Sequence, residues 1–161
     1  MPSLAALNNW SNEEALTKLL ECCGSKAWAQ QMSLSRPFSS PEKLFLKAEE
    51  IWRRLAATDW QEAFSHHPRI GDMKAKGQAG EEQSKVKDAS GETLEKLNQL
   101  NRSYEKIFGH VYLICATGKT AKEMLHLLET RIKNSPEQEL RIAADEQAKI
   151  TKLRLEKLLK S

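Results

Sequence analysis

Apolar residues recur every three to four positions along most of this chain, the spacing of amphipathic helices. Leu16, Leu19 and Leu20 form one such face, opened by Ser11 and Glu14 at capping-box spacing and stopped by Gly24. Ser25 caps a second helix through Met32. Ser35-Arg36-Pro37-Phe38-Ser39-Ser40-Pro41 reads as loop: Pro37 disfavours helix at Arg36, and Pro41 suits a first helical turn. Leu44, Phe45, Ala48, Ile51, Trp52 and Leu55 mark the next helix. Thr58 with Gln61 starts a shorter one, with Trp60 and Phe64 apolar, ending near His66.

The period then fails. Residues 68–80 read as loop, with Gly71, Gly77, Gly80, Lys74 and Lys76 giving no pattern, and a helix is expected over 81–87. From Gly91, the positions Leu94, Leu97, Leu100, Tyr104, Ile107 and Phe108 predict a long helix that Gly109 ends. Val111 to Ala116 is a short apolar run of β-type residues with no second run to pair with, so it reads as a buried extended segment. Thr120 with Glu123 caps a helix to Asn134, and Ser135-Pro136 opens a last one that carries Leu153, Leu155, Leu158 and Leu159. The expectation is all-α: one domain over 1–161, a bundle of about seven to nine helices with an extended segment near 111–116.

Composition narrows the function classes. A length of 161 residues suits one domain. The 25 basic and 22 acidic residues are interspersed, and a net charge of +3 gives no one-sided basic surface for nucleic acid. No run of about 18 apolar residues exists to span a membrane. Met1 to Asn9 has no secretory pattern, and the last residues are no peroxisomal address, so a cytoplasmic protein is expected. Cys22, Cys23 and Cys115 make neither a disulfide framework nor a zinc site, and read as reduced thiols.

The break in the pattern holds the candidate chemistry: His66-His67-Pro68-Arg69-Ile70-Gly71-Asp72, then Glu81-Glu82-Gln83. An imidazole can exchange a proton near neutral pH, and Pro68 turns His67 out of the helix line. The bland alternative for His67 is a capping histidine at a helix C-terminus. Adjacent His66 and His67 face different ways and are no metal pair; His110 and His126 lack partners at ligand spacing, so no metal site is expected. Glu81 and Glu82 could simply open a helix and offset its positive end. Otherwise one of them orients an imidazole or accepts from a substrate N–H, and Gln83 reads a carbonyl or amide. Arg154 is either an exposed helix position or an inward guanidinium for a carboxylate. Gly118-Lys119-Thr120 lacks the earlier glycine of a phosphate loop, and the Asn101-Arg102-Ser103 sequon lies within a helix.

Together these residues carry a family resemblance. The chain resembles the 2-oxo-4-hydroxy-4-carboxy-5-ureidoimidazoline (OHCU) decarboxylases of urate breakdown, nearly end to end. The likeness rests on Ser35-Arg36-Pro37-Phe38, His67 to Asp72, Glu82-Gln83, Leu100-Asn101 with Tyr104, and Phe108-Gly109. It continues through Ile114-Cys115-Ala116, Arg131 with Asn134, and Ile150 with Leu153-Arg154-Leu155. It implies an all-α, usually dimeric and cofactor-free carboxy-lyase of purine metabolism, acting on a small ureide and yielding (S)-allantoin. It implies His67 as catalytic histidine, Glu82 as active-site glutamate and Arg154 as a substrate-binding arginine. Pro68, the segment Ala79, Gly80, Glu81, Glu82 and Gln83, and the backbone of Tyr112, Leu113, Ile114, Cys115 and Ala116 match regions lining the family's pocket. Two departures stand out: Ala79 where many relatives have serine, and Ser84-Lys85-Val86-Lys87 where many have an Ala-Gly pair.

The chemistry suits a spare site. The substrate's carboxyl-bearing ring carbon adjoins a ring C=N, which can accept the electron pair that decarboxylation releases, so no cofactor is required as a sink. The residues then bind, orient and move a proton. Two other classes fit the same chain: a helical binding module, in which His67, Glu82 and Arg154 diverge in space, and a hydrolase of a related ureide.

Overall fold

The computed structural model describes residues 3–70, 77–83 and 90–160. Among them are nine helices and no strand: α1 (Leu4–Asn9), α2 (Asn12–Cys22), α3 (Lys26–Leu34), α4 (Pro41–Arg54), α5 (Ala57–Ser65), α6 (Gly77–Glu82), α7 (Gly91–Phe108), α8 (Ala121–Arg131) and α9 (Pro136–Lys160). The fold is all-α, with Tyr112 to Ala116 buried and outside any helix, both as the pattern predicts.

Side-chain caps set most helix starts. The hydroxyls of Ser3, Ser11, Ser25, Ser40, Ser90 and Thr120 each accept the N–H three residues on. Thr120 and Glu123 complete a capping box. Gly109 ends α7 at φ 78, a left-handed conformation that disfavours other residues.

Several elements differ from expectation: α8 ends at Arg131, short of Asn134, and α3 runs on past Met32 to Leu34. α1 was not foreseen; its single buried residue, Leu7, is too little for a visible period. α5 starts at Ala57, and both Asp59 and Trp60 N–H bond to the Ala56 carbonyl, so Thr58 lies inside the first turn and caps nothing. α6 occupies part of the expected loop and replaces the start of the helix expected over 81–87; positions 84–87 of that helix lie outside the described residues. A helix of under two turns shows no hydrophobic period.

The chain forms two compact units, Met1–Ala63 with Gln147–Ser161, and Phe64–Glu146, the boundaries falling within α5 and α9. In the first, α2 packs on α3 and α3 on α4. Trp28 is fully buried and its indole N–H donates to the Ala48 carbonyl across that core. Arg36 donates to the Leu7 and Trp10 carbonyls at the end of α1 and to Ser33, while Asn8 pairs with both backbone groups of Phe38. The Ser35–Phe38 motif therefore works as a clamp on α1. In the second unit α7 packs on α8. Its core joins Ile70, Leu97, Tyr104, Tyr112, Ile114, Ala116, Met124 and Leu128. No helix among the described residues is long and apolar enough to cross a membrane.

Candidate active site

The second unit carries all the expected site residues except Arg154. His67 follows the end of α5, where its N–H donates to the Phe64 carbonyl. Phe64 is fully buried beside the His110 ring, so the turn that presents His67 is anchored from below. Pro68 then prevents a further helical turn. His67 and Pro68 are half-buried and His66 is exposed.

Ile70 explains the next part of the motif. It is 5% exposed and sits in the core, while its carbonyl accepts from Asn101 Nδ2 on α7 at 2.9 Å. Arg69, on its other side, pairs with Glu105 on α7 at 2.9 Å. The loop after His67 is thus tied to α7 through an apolar anchor, a backbone hydrogen bond and an ion pair. Asn101, whose sequon lies within α7, is itself buried. Gly71 and Asp72, the rest of the motif, lie outside the described residues.

α6 separates its polar residues. Glu81 is exposed, Glu82 half-buried, and Gln83 is 4% exposed just past the helix end. The carboxylates end α6 and do not open it, which removes the dipole explanation weighed from sequence: at this end acidic charge is unfavourable. Glu82 lies close enough to Cys115 for its charge to raise the thiol pKa, behind burial as the chief cause. Glu82 on α6 is therefore within electrostatic reach of the 111–116 segment. Ala79 and Gly80 ride on α6, and Gly80 is buried. The contact at issue for Ala79 and the Ser84–Lys87 departure fall outside what is described.

The 111–116 segment is held along its length. Tyr112 donates its hydroxyl proton to the Met124 carbonyl at 2.9 Å. Arg131 lies over the Tyr112 ring, its carbon 4.9 Å from the centroid, and donates to the Leu113 carbonyl at 2.7 Å. The Cys115 N–H donates to Glu146 Oε1 at 3.0 Å, and the Cys115 carbonyl accepts from Lys119 Nζ at 2.9 Å. Lys119 N–H closes a turn on the Ala116 carbonyl, with Gly118 at φ 79 inside it. Of the backbone matched to the family's pocket lining, the Cys115 N–H is thus already taken by Glu146.

Behind the segment lies a buried charge cluster. Glu139 is 0% exposed and accepts from Arg131, from the Tyr104 hydroxyl at 2.6 Å and from Asn134. Burial alone opposes charge on Arg131, but the Glu139 bonds outweigh it and raise its pKa. Burial, then the bond to Glu139, pushes the Tyr104 phenol well above its ordinary range. Glu139 and Glu146 went unnoticed in sequence. Their signal is spacing: with Ala143 and Ile150 they fall at i, i+4, i+7 and i+11 on α9, on a buried stripe.

Arg154 lies on α9 in the other unit, half-buried, with Nη1 donating to the Glu21 carbonyl at 3.4 Å. Its charge acts on the buried thiols of Cys22 and Cys23. No group of three or more His, Cys, Asp or Glu among the described residues is arranged to hold a metal ion.

Comparisons with known proteins bear on the family. The chain is 43% identical over 146 residues to the uric acid degradation bifunctional protein TTL of Arabidopsis thaliana, covering 85% of this chain and 45% of that protein. It is 25% identical over 164 residues to the uric acid degradation bifunctional protein of Bacillus sp. (strain TB-90), covering 99% of this chain and 33% of that one. The chain thus spans less than half the length of these curated relatives. A crystal structure of OHCU decarboxylase in the presence of (S)-allantoin matches with a TM-score of 0.81 at 40% identity, covering 94% of this chain and 100% of that one. The family model described as OHCU decarboxylase matches residues 8–156, and on that match the chain belongs to the OHCU decarboxylase family.

Proposed function

We propose that the chain decarboxylates OHCU to (S)-allantoin in urate breakdown, without a cofactor. The observation that carries this reading is the edge of the 111–116 segment. Among the described residues, the N–H groups of Ile114 and Ala116 are engaged by no protein acceptor, although both residues are buried. Buried amides without partners are uncommon and suit a ligand carbonyl. A cyclic ureide supplies such carbonyls, and Glu82, close to Cys115, can accept from its N–H groups. The family relative solved in the presence of (S)-allantoin supports the same ligand class.

The bond between the ring carbon and the carboxylate breaks, and carbon dioxide leaves. The electron pair forms a double bond to the ureido-bearing carbon and pushes charge onto the ring nitrogen, which is protonated. The remaining enol loses its hydroxyl proton as the product carbonyl forms, and the ureido-bearing carbon gains a proton on one face. His67 exchanges that proton, and amide donors at Ile114 and Ala116 stabilise charge on the ring carbonyl. Glu82 orients the ureido or ring nitrogens, with Gln83 beside it. On the family pattern, Arg154 binds the carboxylate or polar ring substituents. The same reading takes the enzyme as a cytoplasmic homodimer.

The test generates OHCU in situ with urate oxidase and hydroxyisourate hydrolase and follows circular dichroism. Rapid build-up of the S enantiomer is expected. The slow, racemic product of the protein-free control would overturn the reading and favour a binding module. Ring opening without carbon dioxide release would favour a hydrolase.

A further inference from the structure

Three backbone polar groups of the 111–116 segment are held by side chains: the Leu113 carbonyl by Arg131 at 2.7 Å, the Cys115 N–H by Glu146 at 3.0 Å and the Cys115 carbonyl by Lys119 at 2.9 Å. The Ile114 and Ala116 N–H groups have no protein acceptor among the described residues. Because a trans peptide is planar, gripping the Cys115 carbonyl also fixes the direction of the Ala116 N–H. Gripping the Leu113 carbonyl does the same for the Ile114 N–H. Glu146 is 8% exposed, so its bond to Cys115 is shielded from competing water.

We propose that Glu146 and Lys119 are positioning residues of the reaction: by holding both polar groups of Cys115 they turn the Ile114 and Ala116 N–H groups toward the substrate ring. The proposal rests on the decarboxylase reading above. Neither residue touches the substrate in this scheme. Their effect reaches it through the peptide planes, and it is greatest where ring charge is greatest, in the transition state. Losing either grip therefore lowers kcat more than it raises KM. Loss of a hydrogen bond to a charged group corresponds to about 10- to 100-fold.

The experiment measures kcat and KM for Glu146→Leu, Glu146→Gln and Lys119→Met in the coupled assay. It also records the amide chemical shifts of Ile114 and Ala116 as (S)-allantoin is added. Glu146→Leu and Lys119→Met are expected to lose about tenfold or more in kcat, with KM changed by less, and to lose the ligand-induced amide shifts. Glu146→Gln keeps an acceptor oxygen and is expected within about threefold of the parent, a rescue that general destabilisation would not give. Should Glu146→Leu fail to fold, Lys119→Met on its half-buried loop carries the test. An active parent with unchanged kcat and amide shifts in Lys119→Met overturns the positioning role alone. An inactive parent overturns the decarboxylase reading, and this proposal with it.

Discussion

A carboxylate with no exposed surface needs donors around it, and Glu139 has Arg131, Tyr104 and Asn134. Arg131 and Asn134 were legible only as letters of a family pattern; what they hold was not, because Glu139 looks like any acidic residue in the first turns of a long helix. Ile70 was easier: an apolar residue between charges in a polar loop signals an anchor, and it is one. The thiols yield a prediction at this scale. Burial is the main force raising Cys22 and Cys23 from the ordinary 9.0 to about 12. Above pH 9.0 the unfolded chain releases these protons and the folded chain keeps them. Their contribution to stability is therefore present below that pH and is lost as pH rises toward about 12. Urea unfolding at a series of alkaline pH values is expected to show a steeper fall for the parent than for the Cys22→Ala, Cys23→Ala double variant. Parallel pH profiles would contradict it.

At the scale of elements, long helices were readable and short ones were not. α4 and α7 carry enough turns for their apolar stripes to repeat, whereas α1 and α6 have six residues each. The misplacement of α6 matters for function, since it made Glu81 and Glu82 look like favourable N-terminal charges. The 111–116 segment, in which Tyr112 to Ala116 are buried, was legible from its β-type residues as a stretch outside any helix. Its three side-chain grips were not, because Glu146 lies about thirty residues away, beyond any local pattern. The entry to that segment depends on Gly109, whose φ of 78 lets α7 stop and the chain turn. An added Cβ there meets nothing within 4 Å, so substitution costs conformational energy alone. Gly109→Ala is expected to destabilise by about 1–2 kcal/mol in chemical denaturation. An unchanged midpoint would show that the left-handed turn is not needed.

For the whole molecule, the fold class was evident from periodicity, and family membership from the order of weak motifs. Two compact units within one helical chain were not evident, since α5 and α9 each run on without a break in pattern at the boundary. His67, Glu82 and the 111–116 segment belong to one unit and Arg154 to the other, so the site residues are far from evenly spread along the fold. Within the second unit His67 is the proposed proton-exchanging group, presented by the anchored end of α5. The most direct measurement is the rate at which His67→Ala produces (S)-allantoin from OHCU, with (S)-allantoin binding followed in parallel by calorimetry. Loss of an acid–base group predicts a fall of roughly 10²–10⁴-fold with binding retained. Near-parental turnover in His67→Ala would contradict the central claim.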